Sequence, residues 1–103
     1  MAIWKLSPID PTDPRWGVST HKGAAVIRAP DEQIARAVAA TAFGLATFIA
    51  HGRATTIHPP WRYAGMVSAE RVTGTPWPDE GEIEILDPAA ANDEIKGVTW
   101  GDT

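Results

Sequence analysis

The sequence predicts an α+β fold: a small antiparallel sheet of four to five strands, with one main helix at about residues 31–50 packed on one face. Three observations lead there. Period-two alternation appears around residues 3–9 and 82–86, and a β-branched apolar run spans 24–28; both are strand signatures. One longer segment repeats Ile34, Val38, Ala42, Leu45 and Ile49 along a single helical face. The chain has 103 residues, one domain's length, and a chain of that size buries about 65% of the surface its unfolded form exposes. That suffices for one helix layer on one sheet layer.

The elements follow in order. In residues 3–9, Trp4 and Leu6 share one side of a strand, with Ile3, Lys5 and Ser7 on the other. Asp10-Pro11-Thr12-Asp13-Pro14 is a turn, because two prolines remove donors and Asp-Pro favours a bend. Residues 16–20 are weakly strand-like, and His21-Lys22-Gly23 reads as a turn into the strand at 24–28. The Val26-Ile27-Arg28-Ala29-Pro30-Asp31-Glu32 junction, of a kind common in small bacterial α+β proteins, opens the helix. Asp31 is placed to accept from the free N–H groups of the first turn, and Glu32 suits the positive end of the helix dipole. The apolar stripe stays in phase across Gly44, which favours a helix running to Ala50. A C-cap at Gly44 followed by a strand from Leu45 to Ile49 is the competing reading. Residues 51–61 lack a period and end in a proline pair, so they read as a loop. A strand follows around 66–72, then a turn-rich connector at 74–81, then the strand at 82–86 with Ile83 and Ile85 inward. Residues 1–88 form the expected domain. Residues 89–103 read as a flexible tail, with Ile95 or Trp100 available to dock it.

Net charge is −4, divided unevenly. Residues 1–71 hold eight cations against five acids, whereas residues 72–103 hold Lys96 alone against eight acids. No domain-wide basic footprint for nucleic acid exists. The start of the chain lacks a charged segment followed by an apolar run, and the longest mostly apolar stretch, 34–50, falls short of the roughly 20 residues of a membrane span. A cytoplasmic location without membrane attachment is the expectation. Cysteine is absent, which removes disulfides, thiolate zinc sites and thiol nucleophiles.

Catalytic signatures are missing. No Gly-x-Ser-x-Gly or phosphate-binding glycine motif occurs, and Ser7, Ser19 and Ser68 have no flanking motif. His21, His51 and His58 lack metal-ligand spacing and read as solvated loop histidines. Glu82 and Glu84 could share a strand face and offer two oxygens to a hard cation. Asp79 with Glu94-Ile95-Lys96 imitates the acid–acid–lysine set of metal-dependent nucleases, but that set sits on a well-formed central strand and this one falls in the tail. We therefore expect no catalytic residue, no bound metal and no cofactor.

The distinctive feature is five tryptophans. Trp16, Trp61 and Trp77 sit beside proline, arginine or glycine, where stiff corners can present an indole. Trp, Tyr and Arg are the residues enriched at binding hot spots. The expected partner-binding residues are Trp16, Trp61, Arg62, Tyr63 and Trp77, with Glu82 and Glu84 steering a partner that has a basic surface. The expected function is a small contact-acting protein-binding module: an inhibitor, an immunity protein or a phage-type accessory protein such as an anti-defence protein. The alternative is a nucleic-acid-binding or regulatory module using the cations and aromatics of 51–63, including His51, Arg53 and His58. An exposed sheet edge and a thin core leave a homodimer open.

Overall fold

The computed structural model describes residues 1–43, 48–50, 53–55 and 60–95. Its frame is a four-stranded antiparallel sheet of β1 (Ala2–Pro8), β2 (Ala25–Ala29), β5 (Val67–Val72) and β6 (Glu84–Asp87), ordered β5-β1-β2-β6. A separate hairpin pairs β3 (Phe48–Ala50) with β4 (Arg53–Thr55). The one α-helix among the described residues, α1 (Glu32–Phe43), lies on one face of the sheet. The α+β architecture expected from periodicity is therefore present.

Alternation decides which side chains meet α1. Leu6 of β1, Ala25, Ile27 and Ala29 of β2, Val67 of β5 and Ile85 of β6 point toward the helix and are buried. Trp4 completes that face half-buried, its indole N–H donating to the Ala29 carbonyl at 3.2 Å. From the helix, Ala35, Val38, Ala39, Ala42 and Phe43 pack back. Alanine dominates because α1 is enclosed on three sides: by the sheet, by the 3-10 turn Pro60–Arg62, and by the 3-10 segment Ala89–Ile95. Small side chains permit that close approach while keeping helix propensity high.

Asp31 caps α1, accepting from the Ile34 N–H at 2.8 Å, as its position in the sequence implies. The helix is shorter than expected. Its described residues end at Phe43, whose carbonyl accepts from both the Thr20 N–H (2.6 Å) and the Thr20 hydroxyl (3.1 Å). Thr20 thus takes an acceptor that a further helical turn would use. Phe48–Ala50 is a strand and pairs with Arg53–Thr55, so the apolar stripe running on to Ile49 does not mark helix, and the loop expected at 51–61 contains a strand. Gly44 lies outside the described residues.

Two further expectations change. Pro14–Val18 is a 3-10 helix rather than a weak strand, started by Pro14 and capped by Asp13. Ala89–Ile95 is folded against α1 with Ile95 buried and Ala91 half-buried, so packing continues beyond residue 88. Trp100 lies outside the described residues. No helix among the described residues is long and apolar enough to cross a membrane.

Candidate functional site

Two of the expected contact residues are core residues. Trp16 and Trp61 are 1% and 0% exposed. They meet edge to face, with centroids 5.2 Å apart and planes at 88°, the arrangement favoured by the ring quadrupoles. Phe43 lies 5.1 Å from Trp61, and His21 stacks on Trp61 at 6.1 Å and lies tilted against Phe43 at 4.7 Å. The Trp61 indole N–H donates to Ser19 Oγ (2.9 Å), and that hydroxyl donates to the His21 carbonyl (2.6 Å). These rings are turned inward because the sheet–helix layer is thin, and proline-rich segments fold two indoles over its end. His21 is likewise a packed aromatic rather than a solvated loop histidine. Its Nε2 faces the Ala24 carbonyl at 3.1 Å, so that nitrogen carries the proton. His51 and His58, and the side chain of Arg53, lie outside the described residues.

Arg62 and Tyr63 are exposed, Tyr63 to 46%. The Tyr63 carbonyl accepts from the Met66 and Val67 N–H groups, fixing this corner to the start of β5. Ile9, exposed to 57%, reaches the same corner through its N–H to the Met66 carbonyl.

The other face of the sheet carries the remaining candidates. β5 and β6 occupy opposite edges, so residues 73–83 must cross β1 and β2 between them, about 14 Å of sheet. They cross on the face away from α1, where Arg28 is the anchor. Arg28 follows Ile27 in β2 and so points away from the helix, yet it is only 5% exposed. Its Nε donates to the Pro78 carbonyl (3.0 Å) and its Nη1 to the Glu82 carbonyl (3.4 Å), and Nη1 also ion-pairs with the Glu84 carboxylate. A guanidinium out of water requires such partners. Gly81 leaves room for it: a Cβ there would stand 2.6 Å from Arg28 Nη1, and Gly81 has φ +142°, a conformation that glycine adopts readily. Ile3, on the same face, is buried to 1% without joining the helix-side cluster.

The crossing connection displays Asp79, Glu80 and Glu82 to solvent, with Trp77 half-buried among them. The Thr75 hydroxyl donates to the Trp77 carbonyl at 3.0 Å. Glu84 is committed to Arg28, and Glu82 precedes β6, so the two are not a matched pair on one strand face. Among the described residues no group of three or more His, Asp or Glu is placed to hold a metal ion. Glu94 and Ile95 lie on the 3-10 segment rather than a strand, unlike the nuclease arrangement their spacing imitates.

Sequence reasoning missed two residues. One is Arg28, whose signal is a lone cation inside an otherwise apolar strand. The other is Asn92, whose side-chain amide accepts from the Ile85 N–H and donates to the Ile85 carbonyl, both at 2.7 Å. No local pattern announces it. Elsewhere, Arg15 bonds Asp13 through its side chain (2.9 and 3.1 Å) and its backbone N–H (2.9 Å), which holds the Asp13 carboxyl at about 2, below its ordinary 3.8.

No protein-family model, curated protein or solved structure matches this chain.

Proposed function

We propose that the protein works by contact, as a small cytoplasmic protein-binding module of the inhibitor, immunity or phage-accessory type, and that its working surface is the connection from Trp77 to Glu82. The observation that carries this reading is the buried Arg28 holding the Pro78 and Glu82 carbonyls from below. Three exposed carboxylates and an indole are thereby presented on a fixed backbone. A surface ordered before binding loses less entropy on association. A cluster of like charges also steers a partner of opposite charge and sets orientation more than raw affinity.

The partner is therefore a protein with a basic surface. Trp16 and Trp61 have no part in contact, and Glu84 acts indirectly through Arg28. The test is affinity capture from native lysate at low and high salt, using the wild type, Trp77→Ala and the triple variant Asp79→Lys/Glu80→Lys/Glu82→Lys. A specific partner held by the wild type, weakened by the first variant and lost by the second is the expected result. Undiminished capture by both variants overturns the surface.

The nucleic-acid reading rests on exposed Arg62 and Tyr63 standing side by side. It requires an oligonucleotide complex that weakens steeply as salt rises and is lost in Arg62→Ala/Tyr63→Ala. Absence of any complex at low salt ends it.

A further inference from the structure

The two edges of the sheet differ, and hydrogen-bond parity says how. The Ile9 N–H donates to the Met66 carbonyl, and β1 and β5 continue from there in unbroken register through Ser7↔Ser68, Lys5↔Glu70 and Ile3↔Val72. Paired hydrogen bonds in an antiparallel ladder recur every second residue. Ser68, Glu70 and Val72 therefore bond β1, while the backbone groups of Val67, Ala69 and Arg71 point outward from the sheet. The Val67 N–H is used locally by the Tyr63 carbonyl. The N–H and C=O of Ala69 and Arg71 meet no further strand among the described residues, since β5 is an edge of its sheet.

At the opposite edge the same parity sends the Ile85 backbone outward, and there Asn92 answers both of its groups. One edge is closed by a side chain that mimics a neighbouring peptide. The β5 edge carries no proline and no bulge; its exposed charges are Glu70, which stands opposite Lys5 on the neighbouring strand, and Arg71, which stands opposite Trp4.

We infer that the outer edge of β5 pairs antiparallel with β5 of a second copy of this chain, about a two-fold axis through Ala69. The charge pattern of β5 against itself admits that occupant in one register. Centring the axis on Glu70 sets Glu70 against its own copy, and centring it on Arg71 sets Arg71 against its own copy; like charges directly opposite are destabilising. Centring on Ser68 leaves Arg71 and Val72 beyond the partner strand. Only the Ala69 register pairs 67 to 71 throughout, setting Glu70 opposite Ser68 of the second copy and Arg71 opposite Val67. The Ala69 N–H and C=O then bond their symmetry mates, and the Arg71 N–H donates to the Val67 carbonyl of the second copy. The interface is isologous and closes on itself, joining two sheets into one with both helices on the same side. This inference does not depend on the reading of the acidic connection.

The test is sedimentation equilibrium on the full chain from about 1 to about 500 µM, with three variants. Ala69→Pro deletes the central outward N–H at an edge position where proline is tolerated. Ser68→Glu and Ser68→Lys alter an exposed residue and leave the core untouched. Wild type is expected to dimerise within that range, and Ala69→Pro to remain monomeric with unchanged far-UV circular dichroism. Ser68→Glu should weaken dimerisation about five-fold and Ser68→Lys strengthen it about five-fold, since each appears twice against Glu70. Monomer throughout the range overturns the inference. So does a dimer on which the two Ser68 variants act alike or not at all, because only the Ala69 register opposes Ser68 to Glu70.

Discussion

On the helix side of the sheet, Trp16, Phe43 and Trp61 are packed into a cluster with the helix alanines, and the buried polar groups beside it, Ser19 and Arg36, bond to Trp61. On the opposite side one guanidinium, Arg28, holds the chain that crosses it through two carbonyls and a carboxylate. The first arrangement gains from non-directional burial and tolerates small shifts; the second depends on a few directed bonds and fails if their hub is removed. The difference teaches where display is built. Aromatic mass fixes the fold, and a single buried charge fixes the acidic surface.

The sharpest way to break the contrast is to damage the aromatic side. Trp61→Ala removes the ring that touches Trp16, Phe43 and His21 and one of the two N–H donors to Ser19 Oγ; it should cost about 3–5 kcal/mol in chemical denaturation, enough to threaten folding outright. Arg28→Met retains much of the volume and abolishes the directed bonds. We expect a loss of about 2–4 kcal/mol, with the sheet and α1 intact by circular dichroism, since the helix-side cluster is untouched. Gly81→Ala should cost about 1–2 kcal/mol, because alanine is strained at φ +142° and its Cβ presses on the guanidinium. A loss equal to that of Arg28→Met would mean that the glycine, not the charge, is the hub.

Smaller effects sharpen the picture away from both faces. Asp31→Ala should lower stability by about 1 kcal/mol through loss of the helix cap, measurable by thermal melting. Asp13 provides a pH signature. Its carboxyl titrates at about 2 in the folded chain against an ordinary 3.8, so the folded state favours the ionised form. That contribution is present above about pH 4 and fades as pH falls toward 2. Asp13→Asn should therefore narrow its difference from wild type as pH falls through that window, and carboxyl chemical shifts followed by NMR would check it.

Much of the fold was legible because it follows period and chemistry. The alternation around Trp4 and Leu6 and the β-branched run at Val26 and Ile27 gave β1 and β2, and Asp31 gave the start of α1. The end of α1 was illegible because a residue 23 positions away, Thr20, takes the Phe43 carbonyl. The candidate site was read less well. Proline-flanked tryptophans look alike in sequence whether the corner turns outward or inward. Only the thinness of the layer beneath them decides that Trp16 and Trp61 are swallowed while Trp77 stays half-exposed. Arg28 and Asn92 serve partners 50 and 7 residues away, so no local spacing could have marked them.

Backbone 15N relaxation across residues 74–83, in wild type and Arg28→Met, bears most directly on the idea that one buried guanidinium fixes the acidic surface. Wild-type order parameters should match those of the sheet, near 0.85, and fall below about 0.6 in the variant while β1 and β2 stay rigid. Order parameters already low in the wild type, or equal in both proteins, would contradict it.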